Sequence, residues 1–341
     1  MLRWIEGFDQ YGLTETFMLD GLWSQINNMA LSTAIVRTGT HSMVSTGNVC
    51  FLRRQFGSAL QEVGVGHAIY LDSLPVDNNR FAVCELRDAA NAAQIKVVIQ
   101  TTGAVAVLRG GVTLGTSAVL VTAAAWNHFE VYALIANVGG AVEVRLNGVT
   151  ILNLTGIDTQ ETALNETSQV VYGSVISTLL IFYLDDLFTW DTTGTLNNTF
   201  IGDKKVYLLL PDADTADADW VPDTGGVGFS RINEVPPADD ASYVEASNAG
   251  DISQFGLTDL PPEVVSVQGI YVPGRLRKTD AGVNNVQSAM VSGVSVASGV
   301  DRPITTAFTY WPDVFEVDPA TSAPWTPAAV NASQLRFTRT A

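Results

Sequence analysis

Asp185 and Asp186 stand side by side in an apolar run, Leu184-Asp-Asp-Leu-Phe188, where two carboxylates could hold a metal ion or serve as acid and base across one bond. Adjacent residues of a strand point to opposite faces, so the two acids are expected to diverge and to make turn or loop hydrogen bonds at a strand end. Asp212, Asp214, Asp217 and Asp219 offer hard oxygen ligands for calcium. That segment lacks the sixth-position glycine and the distal glutamate of an EF-type loop, and it reads as a solvated acidic loop. The histidines His41, His67 and His128 are scattered, with no H-x-x-x-H or H-E-x-x-H spacing for zinc. His128 falls on the strand face opposite the apolar set, toward solvent or a second sheet. No G-x-S-x-G elbow, Walker loop or Rossmann fingerprint occurs, and Gly64-Val-Gly66 reads as a short glycine turn. Trp23, Trp126, Trp190 and Tyr132 could stack on a sugar, yet Trp126 and Trp190 begin or end predicted core strands and are assigned to packing. No catalytic, cofactor-binding or metal-ligating residue is assigned. The chain is therefore expected to have no enzymatic activity and no cofactor.

The elements that carry these residues are strands. From Trp126 to Ile135 the chain alternates, with Phe129, Val131, Ala133 and Ile135 on one face and His128, Glu130 and Tyr132 on the other. Gly139-Gly140 breaks the run, and Ala141–Leu146 follows with Val142, Val144 and Leu146 inward. Asn147-Gly148 is the signature of a two-residue type I′ hairpin. It sets Leu146 opposite Val149, Arg145 beside Thr150 and Val144 opposite Ile151. Upstream, Gly12 to Asn28 reads as irregular or a short helix. Strands are expected at 34–37, 42–44, 49–53, 68–71, 80–87, 94–100, 104–109 and 113–122, and two more between Val170 and Trp190. Strands every 8–12 residues with glycine and asparagine between them predict an all-β sandwich. After Asn197-Asn198 the character changes. A strand is expected over Phe200–Leu210, then the acidic loop, then strands at 264–272, 290–296 and 305–316. The division expected is a jelly roll over 1–203 and a smaller β-rich domain for attachment or assembly over 204–341.

Composition bounds the partners. With 341 residues, 47% hydrophobic and 16% charged, the chain can fill the cores of two domains. Its longest apolar run, Leu179 to Leu184, is far short of the ~18 residues of a membrane helix, so no membrane insertion is expected. Glu6 follows Met1-Leu-Arg-Trp-Ile at once, so no signal peptide is expected. Cys50 and Cys84 sit in strand-like runs and read as inert core thiols. Eighteen basic against 35 acidic residues give a net charge of −17, which argues against nucleic acid as a partner. Basic residues cluster at Arg275-Leu-Arg-Lys278 and at Arg53-Arg54. Low total charge leaves a surface suited to packing against other subunits.

The tryptophan-led strand, the Gly-Gly turn, the V-x-V-x-L-N-G hairpin and the closing Thr155-Gly156 resemble the concanavalin A/laminin-G-like jelly rolls common in tailed-phage structural proteins. Gly7-Phe-Asp-Gln-Tyr-Gly12 resembles the opening segment of that family, and Leu184–Phe188 with Trp190-Asp-Thr-Thr-Gly194 its closing strand and turn. Gly202-Asp203 through Trp220-Val-Pro-Asp-Thr-Gly225 resembles a segment that often follows the jelly roll in such proteins. The resemblance covers roughly residues 5 to 200. It implies a non-enzymatic virion component, in decoration, collar or tail, made in the host cytoplasm and acting through contacts with other virion proteins. A homo-oligomer, with a trimer as the guess from that class, follows from it. The alternative is a carbohydrate-binding module that recognises host-surface glycans. Glycosidases on such jelly rolls carry an E-x-D-x-x-E or E-x-D-x-E strand, and neither occurs here.

Overall fold

A computed structural model describes residues 1–174 and 180–341; Leu179, the first residue of the apolar run noted above, lies outside them. The regular structure of the described chain is almost entirely antiparallel β, and the chain divides into two compact units. The first comprises Met1–Asp9 and Leu13–Val206, the second Gln10–Gly12 and Tyr207–Ala341.

The first unit is a jelly-roll sandwich. Its strands are β1 (Leu2–Glu6), β2 (Gln25–Asn27), β3 (Met29–Ser32), β4 (Ser42–Ser45) and β5 (Cys50–Leu60). Next come β6 (Glu62–Leu71), β7 (Ala82–Arg87), β8 (Ala93–Ile99), β9 (Ala104–Arg109) and β10 (Val112–Leu120). The series ends with β11 (Trp126–Leu134), β12 (Gly140–Leu146), β13 (Val149–Ile157), β14 (Thr167–Ser174) and β15 (Phe182–Trp190). One sheet runs β13-β12-β11-β6-β15-β4-β3, with β1 also paired to β15; the other runs β10-β9-β8-β7-β14-β5-β2.

The inner faces meet through rings. His67 of β6 lies edge-on to Tyr172 of β14 at 4.9 Å, and Phe81 lies edge-on to Phe182 at 5.0 Å. Alternation decides which side chains face inward. On β12, Val142, Val144 and Leu146 are buried while Ala141, Glu143 and Arg145 are half-buried. Cys50 and Cys84 are buried free thiols.

The Asn147-Gly148 turn has φ of 50° and 79°, as type I′ requires. Asn147 also ties the turn to β11, its amide donating to the His128 carbonyl at 2.7 Å and its Oδ1 accepting from the His128 amide at 2.8 Å. Leu146 opposes Val149 and Arg145 opposes Thr150, but a register shift then places Val144 opposite Leu152 rather than Ile151. Three other expectations are corrected. Residues 34–37 form no strand; they belong to a loop that Asp185 holds by its backbone amides. Gly64 and Gly66 lie inside β6 rather than in a turn, because two rings of β15 lie across them. Residues 200–210 make no ladder; the amides of Ile201, Gly202 and Val206 are taken by the carboxylates of Glu130 and Asp186, and that of Leu210 by the Thr258 hydroxyl.

In the second unit the expected acidic loop is a strand, Pro211–Ala218, paired with Ile252–Leu257. Its carboxylates serve the backbone: Asp214 accepts from the amides of Gly228 and Phe229 at 2.6 and 2.7 Å, and Asp219 accepts from that of Ile252. The sheet continues through Gln334–Arg339, Asn285–Ser292 and Ser295–Ser298. One cluster of its core is Val272, Met290, Phe315, Trp325 and Val330.

Gly148→Val forces a β-branched residue to positive φ and should lower stability by roughly 1–2 kcal/mol. Glu143→Gln, on the outer side of the same hairpin, should cost less than about 0.5 kcal/mol. Urea denaturation of the two variants checks both; equal effects would contradict the turn.

Candidate functional site

The outer face of the eight-stranded sheet is laid out in four rows by the registers of β11, β6 and β15. The first row is Trp126, Tyr70 and Tyr183; the second is His128, Ala68 and Asp185. The third is Glu130, Gly66 and Phe188; the fourth is Tyr132, Gly64 and Trp190. Rows two residues apart along a strand are ~6.8 Å apart, so the face spans ~20 Å from first to last.

In the first row the three rings are half-buried and touch edge-on, Tyr70 to Trp126 at 5.8 Å and Tyr70 to Tyr183 at 6.0 Å. Trp126 is thus on the outer face and not in the core. Trp190 is buried, as expected, but also on the outer side, stacked on Tyr132 at 5.9 Å and 6°. Trp23 is in the core, its Nε1 donating to Glu6 at 3.1 Å.

The second and third rows hold the acid/base groups. Asp185 and Asp186 do not diverge. Asp186 has φ of 53° at a register shift in β15, and this bulge turns its carboxylate toward the partner that Asp185 uses. Asp185 Oδ2 accepts from the amides of Arg37 and Thr38 at 2.9 and 3.1 Å. Asp186 Oδ2 accepts from Arg37 Nη1 at 2.7 Å and from the Thr38 hydroxyl at 2.8 Å. Both acids are fully buried, and desolvation raises both above the usual carboxylate range. Asp185, which also faces the Asp186 charge, is pushed up to about 8. Glu130 is likewise raised by desolvation while accepting from the amides of Ile201 and Gly202.

His128 is buried rather than facing solvent. It is 2% exposed and stacked on Phe188, and among the described residues neither ring nitrogen has a hydrogen-bond partner. Desolvation lowers it to about 4, with the Arg37 charge adding and Asp203 opposing, so it is neutral at pH 7. His67 faces the core, and His41 lies 3.6 Å from Asp9.

A strap, residues 198–206, covers the last two rows. Phe200 lies edge-on to Trp190 at 5.5 Å, and the Arg145 guanidinium lies 3.7 Å from the Phe200 centroid. Arg37 pairs with Asp203 and donates to the Lys204 carbonyl, and Asp186 Oδ1 accepts from the Val206 amide at 2.7 Å. Tyr70, Tyr183, Arg37 and Phe200 were not singled out by sequence. For the two tyrosines the signal was parity, since they alternate in step with Ala68 and Asp185.

No cluster of three or more His, Cys, Asp or Glu suited to a metal occurs among the described residues. The second unit holds a cavity of ≈ 370 Å³. On its rim Arg275 pairs with Asp239 and Arg277 with Asp240, leaving no net charge there to select a ligand.

No protein-family model and no curated protein matches the chain. Solved structures share its sandwich. An endo-β-1,4-glucuronan lyase from the fungus Trichoderma reesei is 12% identical over 55% of this chain and 95% of that one, with a TM-score of 0.43. A sialidase is 10% identical over 55% of this chain and 18% of its own, at 0.40. A carbohydrate esterase of the Shiga toxin-encoding bacteriophage phi24B is 9% identical over 51% and 91%, at 0.38. These neighbours are named as carbohydrate enzymes, against the expectation of a chain without enzymatic activity, and that expectation is withdrawn. One premise of that expectation, the divergence of Asp185 and Asp186, also fails, because the bulge at Asp186 turns both acids to the 37–38 segment. One neighbour is from a phage; tail, capsid and oligomer find no support in the comparisons.

The raised acid and the lowered base act oppositely on stability. Asp185 prefers its proton in the fold, so stability falls as pH rises from about 4 to about 8. His128 prefers to be neutral in the fold, so its contribution rises between about 4 and 6.5. Above that window the histidine contribution is complete and the raised carboxyls set the sign, Asp185 adding a slope of up to ~1.4 kcal/mol per pH unit in the same direction as Asp186 and Glu130. Thermal melts should therefore show a falling Tm from pH 6.5 to 8, flattened in Asp185→Asn. An equal slope in both proteins would contradict the burial of a protonated Asp185.

Proposed function

We propose that the jelly roll is a carbohydrate-recognising domain that binds a glycan on the outer face of its eight-stranded sheet. The ring row Trp126–Tyr70–Tyr183 carries the reading. Aromatic cross-strand neighbours stabilise a sheet by ~0.2–1 kcal/mol per pair, which accounts for one pair on a solvent face. Three half-buried rings in one line exceed that need and form a strip on which the C–H face of a sugar can stack. The carbohydrate enzymes among the structural neighbours are in keeping with a sugar ligand, but the ring row is the reason for the proposal.

Affinity electrophoresis in gels containing laminarin, alginate or a bacterial O-polysaccharide tests the reading. At least one polymer should retard the protein, and Trp126→Ala should weaken that interaction by about tenfold, the worth of one stacked ring. No retardation in any gel, or retardation unchanged in both Trp126→Ala and Tyr183→Ala, would contradict it.

A further inference from the structure

We infer that the same face holds a second sugar subsite, the Tyr132–Trp190 ring pair, and that Phe200 of the strap keeps it closed. The inference rests on the glycan-binding reading of the first row and adds an extended, partly masked site. Tyr132 and Trp190 lie 5.9 Å apart at 6°, a nearly parallel pair ~20 Å from the first row along the strands. Phe200 occupies it edge-on, at 5.5 Å from Trp190 and 6.4 Å from Tyr132.

Two independent observations set this arrangement apart from ordinary packing. The first is how the strap is held. Among the described residues, no backbone-to-backbone hydrogen bond ties 198–206 to the sheet. Its hold comes from the carboxylates of Glu130 and Asp186 and from Arg37, and its own residues are half-buried or exposed. A segment held by a few side chains opens more readily than a laddered strand.

The second is what lies beneath and beside it. His128 is 98% buried, between the two ring platforms, and neither of its nitrogens has a partner among the described residues; Trp190 Nε1 has none either. Buried polar groups are almost always satisfied, and each exception calls for a reason. A phenylalanine ring cannot satisfy them. Sugar hydroxyls can: a neutral histidine accepts at one nitrogen and donates at the other, and the indole donates. With Phe200 withdrawn, a glycan seated on Trp126–Tyr70–Tyr183 could run past His128 to the second ring pair.

The test uses the full chain and oligosaccharides of two and six units prepared from each of the three polysaccharides above. Phe200→Ala should bind the six-unit chain of the recognised polymer about tenfold tighter than the wild type, with the two-unit chain unchanged. Adding Tyr132→Ala should remove the gain. Arg145→Ala, which frees Phe200 without altering the strap's own sequence, should give a smaller gain and serves if Phe200→Ala fails to fold. A wild type that binds while neither strap variant improves on the longer chain would overturn this inference alone. Wild type and variants that all fail to bind any chain would overturn the glycan reading along with it.

Discussion

Gly64 and Gly66 in the middle of β6 are the constraint on which the outer face depends. A Cβ on Gly64 would come within 2.0 Å of the Trp190 ring, and one on Gly66 within 2.0 Å of Phe188. No side chain can be accommodated there, so the two rings of β15 lie across the neighbouring strand. Trp190 then stacks against Tyr132, Phe188 against His128, and Phe200 closes over the rings. Glycine inside a strand weakens it and marks close approach of another group. Here that group is a pair of aromatic rings that turns a solvent face into a second layer of packing.

Charge is arranged around the same layer. The bulge at Asp186 lets two adjacent acids converge on the Arg37–Thr38 segment, and Arg37 in turn reaches Asp203 and the carbonyl of Lys204 in the strap. Desolvation opposes the ionised carboxylates, while backbone amides and one guanidinium favour them. Such a cluster couples the loop at 37–38, the bulge in the middle of β15 and the strap. The first row of rings lies outside the strap and remains half-buried, which leaves it accessible to a ligand as the fold stands.

Sequence alternation was enough to read the sandwich, the β11–β12–β13 meander and its type I′ turn, because each strand there has a buried and an exposed side. It also placed His128 and Tyr132 on the outer face. The same parity puts Trp126 with them, but a large ring at a strand start was assigned to the core. What alternation could not show is the second layer. A face covered by another segment buries polar residues without changing their spacing, so His128, Glu130 and the two aspartates looked solvent-directed or structural. The bulge defeats parity locally, since one extra residue reverses which side Asp186 faces. The segment after the jelly roll misled in the other direction: Phe200–Leu210 resembles a strand although it makes no ladder, and the alternating Asp–Ala stretch after it resembles a loop although it is a strand.

The most direct measurement is hydroxyl-radical footprinting of the full chain with and without the polysaccharide that it binds, read residue by residue by mass spectrometry. Glycan recognition on the outer face of the eight-stranded sheet requires Trp126, Tyr70 and Tyr183 to be protected together, while Val112 and Leu120 on the exposed edge strand β10 keep their reactivity. Protection confined to the second unit, with the three rings as reactive as in the free protein, would contradict it.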